Sequence, residues 1–156
     1  MGEMIMASNF AGIAFGNAGV GAVHALSYPL GGTYHVPHGE ANYQFFTEVF
    51  KAYERKAPAG QMQLLKEKLA KLMGCTPATL FDEIDALLSA LIAKNPLHTY
   101  GMKEEEIEGF ADAVIATQPR LLATVSYTHL DVYKRQCLHS SVTLYCQLQA
   151  VGVCCP

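Results

Sequence analysis

At 156 residues, 51% of them hydrophobic and 16% charged, the chain is long enough to close a core of its own and too apolar to be a disordered segment. Its net charge of -3, with few and scattered basic residues, gives no electrostatic footprint for nucleic acid. Apolar residues recur at three- and four-residue steps and no two segments alternate as strands, so the predicted fold class is all-α, an array of about five or six helices.

From Met4 to Gly39 there is no Asp, Glu, Lys or Arg. By composition this stretch could cross a membrane, and Gly12-x-x-x-Gly16 is a spacing that lets helices approach closely there. Ser8, Asn9, Asn17, His24 and Ser27, with no basic cluster at either flank, favour the buried central helices of a soluble protein instead, so no membrane partner is expected. Gly16-x-x-Gly19-x-Gly21 is not a phosphate-binding loop, because its spacings run in the wrong order and no strand precedes it. Pro29, Gly31, Gly32 and Pro37 predict a helix that stops after Tyr28, a compact loop, and a new helix that opens near His38.

Downstream, Phe45, Phe46, Val49, Phe50 and Tyr53 form a core-facing stripe on a helix from Gly39 to about Lys56. Pro58 and Gly60 interrupt it. Leu65, Leu69, Leu72 and Met73 then predict a second amphipathic helix ending at Gly74, a left-handed cap. Thr76-Pro77 reads as an N-cap followed by a first-turn proline, ahead of Leu80, Ile84, Leu87, Leu88 and Leu91, and Asn95-Pro96 closes that helix. A last helix opens near Lys103, where Glu104, Glu105 and Glu106 suit the positive end of the helix dipole, and Ile107, Phe110, Val114 and Ile115 face inward.

Chemistry concentrates at His24 and His38, fourteen positions apart. On one straight helix that offset separates two imidazoles by about 21 Å. Two ligands of one ion must bring their nitrogens within about 4 Å of each other. The proline and glycine bend is what would fold His38 back towards His24. A lone histidine among Gly, Ala, Val and Leu, as His24 is, is ordinarily a satisfied core residue. The pair is what suggests a metal. His35 forms His-x-x-His with His38 and reads as a surface or supporting residue, His98 as a loop residue. Cys75, just past a helix end, reads as a structural thiol rather than a nucleophile.

At these residues the chain resembles the iron-containing (group III) alcohol dehydrogenases. Gly19-x-Gly21-x-x-His24, Pro29-Leu30-Gly31 and Pro37-His38-Gly39-x-x-Asn42 match that family's C-terminal signature in order and spacing, and the likeness runs from about Met4 to about Ala123. Within the family it is greatest to the 4-hydroxybutyrate-oxidising members, through Ser27-Tyr28-Pro29-Leu30-Gly31-Gly32 and Gln118-Pro119-Arg120-Leu121-Leu122-Ala123. The resemblance implies a helical C-terminal domain of a cytoplasmic, homo-oligomeric enzyme that oxidises a small alcohol to an aldehyde. It implies that His24 and His38 supply half of the ligand set for iron(II), with zinc the alternative ion, and that NAD is held mainly by an N-terminal domain absent from this sequence. Many family members carry a histidine where Tyr28 stands, and tyrosine does not titrate near neutrality, so the usual proton relay is altered here. No catalytic or nucleotide-binding residue is assigned. Two other readings remain: a cousin of the glycerol dehydrogenase or 3-dehydroquinate synthase type, and a non-catalytic helical interaction module in which both histidines merely pack.

The expected domain organisation is a partial dehydrogenase-like helical domain over residues 1–124 and a tail without a fold over residues 125–156. Val125 to Gln136 can be encoded by DNA that is almost its own reverse complement, and the peptide resembles a translated sequencing adapter, so this stretch is expected to be artefactual. Four of the five cysteines, Cys137, Cys146, Cys154 and Cys155, lie in that tail, as do His129 and His139. The remaining one, Cys75, fits a reducing compartment without a disulfide framework. Met1 is expected to be an internal methionine and the fragment by itself inactive.

Overall fold

The structure is a computed structural model and describes residues 1–118. The stretch from Pro119 onward, with the adapter-like peptide and the expected boundary at residue 124, lies outside the described residues. Six α-helices follow one another: α1 (Gly2–Ala18), α2 (Ala22–Tyr34), α3 (His38–Lys56), α4 (Gln61–Met73), α5 (Leu80–Leu91) and α6 (Ile107–Thr117). Short 3-10 helices at Leu97–Tyr100 and Glu104–Glu106 bridge α5 to α6. The all-α expectation holds, with no strand among the described residues.

The pair α2 and α3 forms the centre and makes the most extensive contact in the fold. Ala25, Leu26 and Leu30 of α2 and Ala41, Phe45 and Val49 of α3 are buried. They share one cluster with Leu97, Met102, Ile107, Phe110 and Val114, which brings α6 and the first 3-10 helix onto the same core. Phe45 and Phe110 stack across it with ring centroids 6.4 Å apart. A second, smaller cluster joins Met62, Ala70, Leu80 and Phe81, so α4 and α5 pack beside the far half of α3 through Phe50 and Tyr53.

Buried polar side chains on α3 are satisfied by its neighbours, as their desolvation requires. Gln44 donates to the Tyr100 hydroxyl at 3.0 Å, and that hydroxyl donates to Glu40 at 2.6 Å, which pins the first 3-10 helix to α3. Thr47 donates to Asp85 at 2.8 Å and ties α5 to the same helix.

Two expectations are corrected. First, α2 does not stop at Tyr28: it runs through Pro29, Gly31 and Gly32 to Tyr34. Proline removes one backbone donor from a helix and glycine costs entropy, yet Leu26 and Leu30 on either side of Pro29 are wholly buried, and that packing outweighs the local penalties. Gly31 has its own reason, since a Cβ there would meet the Val36 carbonyl at 3.2 Å where the chain turns back. The turn is His35-Val36-Pro37. His35 is the one non-glycine residue with positive φ among the described residues, at φ 57, and ends α2 in the left-handed conformation.

Second, α5 begins at Leu80 rather than at Pro77. Thr76 caps a separate turn, its hydroxyl accepting from the Thr79 N–H at 3.3 Å, before the helix proper starts. At its other end α5 stops at Leu91, because Ile92 is already extended. α1 buries nothing: its residues form an exposed helix with Met4, Ile5, Met6, Phe10, Ile13 and Phe15 facing outward. An all-round apolar sequence offers no single face to the α2–α3 core, and the chain bends by 103° between α1 and α2. No single helix among the described residues is long and apolar enough to cross a membrane. Gly74 ends α4 with φ 70, in the left-handed conformation expected there, and Glu106 accepts from the Lys103 N–H at 2.7 Å where the final helical segment opens.

Candidate metal site

His24 lies in the first turns of α2 and His38 is the first residue of α3. The helices cross so that the imidazole centroids are 5.4 Å apart, with an interplanar angle of 56°. An ion–nitrogen bond of about 2.1 Å puts the ring centroid roughly 3.2 Å from the ion, so two imidazoles on one tetrahedral ion have centroids roughly 5.3 Å apart. The observed separation fits that geometry. Among the described residues no group of three or more His, Cys, Asp or Glu side chains converges to hold an ion, so the two histidines stand as a pair.

Each histidine has a companion one helical turn further on, on the same face of its helix. Tyr28 follows His24 by four positions, and its ring stacks on His38 at 5.7 Å with only 17° between planes, while meeting His24 edge-on at 5.9 Å. Asn42 follows His38 by four positions, and its Nδ2 is 3.1 Å from His38 Nε2. His24 is half-buried, and His38 and Tyr28 are exposed, so the cluster opens to one side of the molecule. Burial holds the His24 imidazole below the ordinary histidine range, and repulsion from a charged His38 adds to this. A histidine kept neutral has the bare lone pair that a metal ligand needs.

His35 does not join the cluster as a third ring: it is exposed at the turn, and its part is to end α2. His98 sits exposed on the first 3-10 helix, and Cys75 lies in a turn after α4 beside the second core cluster. Asn42 stands in the Pro37-His38-Gly39-x-x-Asn42 match with no role of its own, although its offset of four from His38 is the signal that finds it.

The chain matches the profile of the Fe-containing alcohol dehydrogenase family, C-terminal, over residues 1–134, and it belongs to that family. Its relatives include 4-hydroxybutyrate dehydrogenase of Clostridium kluyveri, 58% identical over 120 residues that cover 77% of this chain and 32% of that protein. The 1-propanol dehydrogenase PduQ of Salmonella typhimurium is 40% identical over 91 residues, 58% of this chain and 23% of that protein. Alcohol dehydrogenase 4 of Saccharomyces cerevisiae is 30% identical over 133 residues, 83% of this chain and 34% of that protein. The chain thus spans about a third or less of the length of these curated relatives. No solved structure matches it significantly.

Proposed function

We propose that this chain is the metal-binding helical part of a nicotinamide-dependent alcohol dehydrogenase that interconverts 4-hydroxybutyrate and succinate semialdehyde, and that His24 and His38 are two ligands of its divalent ion. The observation that carries the ligand assignment is the 5.4 Å separation of the two ring centroids across the α2–α3 crossing. The substrate assignment rests on the 58% identity to the Clostridium kluyveri protein, against 40% for the 1-propanol dehydrogenase.

When bound, the ion supplies a Lewis-acid charge beside the substrate oxygen, a task that iron(II) and zinc can both perform with imidazole ligands. The chain's own residues prepare the site. Partial burial lowers the His24 pKa and so favours the neutral ring with its lone pair free. The Tyr28 ring lies flat on His38 and limits the rotation of that imidazole, and the hydroxyl of this exposed residue can both donate and accept a hydrogen bond. Only two ligands converge among the described residues, so the remaining ligands and the nicotinamide would be held by other parts of the whole enzyme.

A chimaera tests the reading. This chain replaces the matching segment of the Clostridium kluyveri enzyme, and metal content and 4-hydroxybutyrate oxidation are measured together. The chimaera is expected to hold one divalent ion per subunit and to oxidise 4-hydroxybutyrate in preference to 1-propanol. His24→Ala and His38→Ala should each lower metal affinity by more than about 100-fold, beyond what loss of an outer-shell partner costs. Full metal content in both alanine variants would sink the ligand assignment, and preference for 1-propanol would sink the substrate.

A further inference from the structure

Asn42 makes a contact with His38 that selects one form of the ring. Its Nδ2 lies 3.1 Å from His38 Nε2. An amide NH2 only donates, so Nε2 must accept, and the proton of the neutral imidazole is then on Nδ1. Turning the amide over would reverse those roles, but it would also put the NH2 at the buried position where Oδ1 now has no hydrogen-bond partner. A buried, unpaired N–H is rarer and costlier than an under-satisfied carbonyl oxygen, so the arrangement with Nδ2 towards the ring is the better of the two. A histidine side chain free in water prefers the opposite tautomer, with the proton on Nε2. The protein therefore works against the intrinsic preference at this ring.

We propose that Asn42 is a positioning residue for His38: it holds the imidazole in the Nδ1–H tautomer, so that the lone pair resides on Nε2, and it gives up that lone pair when a divalent cation takes it. The N–H of the amide is an electropositive stand-in for the cation, which is why the two compete for one nitrogen. The stacked Tyr28 ring keeps the face of the imidazole in place while the partner at its edge changes. The tautomer is a property of the chain without metal. Only the exchange step rests on the reading of His38 as a ligand.

Nitrogen NMR of the full chain labelled with [15N]histidine tests the proposal at about pH 9, above the imidazole range. The His38 signals are assigned by their loss in His38→Gln, and circular dichroism checks the fold of each variant. The unsubstituted chain is expected to show a protonated Nδ1 and an unprotonated Nε2 at His38. Asn42→Asp, whose carboxylate only accepts, should reverse the pattern, and Asn42→Leu should release the ring towards the mixture of free histidine. A proton on Nε2 in the unsubstituted chain overturns the proposal, whether or not the variants fold, as does an Asn42→Asp variant that folds and keeps the pattern unchanged. Zinc is then added to the unsubstituted chain, now labelled with 15N at both histidine and asparagine so that the Asn42 side-chain amide is visible. Shifts at His24 and His38 with a moved Asn42 side-chain amide signal support the exchange, and shifts at both histidines with an unmoved amide overturn it. Zinc that moves neither histidine defeats the ligand reading and the exchange step, while the tautomer assignment stands on the metal-free spectra.

Discussion

His35 shows how much a single backbone angle decides in this chain. Its φ of 57 lies in the left-handed region, which costs an L-residue free energy that glycine does not incur. The exposed side chain recovers none of that cost through burial. His35→Gly should therefore raise the stability of the fold by about 0.5–1 kcal/mol without moving α2 or α3. Chemical denaturation of the two proteins checks this, and a destabilised glycine variant would mean that the imidazole makes a contact worth more than the strain. The same residue explains why the turn was misplaced from sequence. Pro29 and the glycine pair carry the strongest local breaking signals, whereas His35 carries none, so local chemistry put the bend six residues too early. What decided the matter is non-local: Leu26 and Leu30 keep α2 helical past the proline because both are sealed against α3. His24 and His38 themselves were legible, since their apolar and proline-flanked settings stand out. The stacking of Tyr28 on His38 was not, because it depends on how two helices cross, whereas the Asn42 contact lies within α3 and follows from an offset of four.

Among the elements, α3 carries the greatest load. It contributes to both core clusters, it supplies His38, and it is pinned by Gln44 and Thr47 to segments on either side. Its apolar stripe was readable from three- and four-residue steps. The stripes of α4 and α5 were only half right. Leu72 is 82% exposed and Leu91 70% exposed, although both fall on the predicted faces, because these helices have a neighbour along only part of their length. Sequence periodicity tells which face is apolar and not how much of it finds a partner. The contrast gives a measurable expectation. Phe45→Ala removes a ring that is 1% exposed and stacked on Phe110, and should cost roughly 3–5 kcal/mol. Leu72→Ala, on an exposed position, should change stability by no more than about 0.5 kcal/mol. Equal losses in the two variants, read from denaturation midpoints, would show that α4 packs on something else in solution.

For the molecule as a whole, the decisive asymmetry lies between α1 and the rest. Residues 22–118 enclose their own clusters, and no α1 residue enters either one. Yet α1 is apolar on every side, with Met4, Ile5, Met6, Phe10, Ile13 and Phe15 all more than half exposed. Large contiguous apolar surfaces on soluble proteins mark contacts with another body or drive self-association. In the free chain the second outcome is expected, since hydrophobic burial is worth about 25 cal/mol per Å2 wherever it is found. Deleting residues 1–18 should therefore leave the unfolding midpoint of the remainder within a few degrees, because no buried contact is lost, and should sharply lower the sedimentation-detected oligomer content. A midpoint that falls by about 10 °C or more would mean that α1 folds down onto the α2–α3 pair in solution and contributes to its core. Unchanged self-association after the deletion would shift the sticky surface to the exposed leucines of α4 and α5, where Leu72→Ala and Leu91→Ala would then have to reduce it.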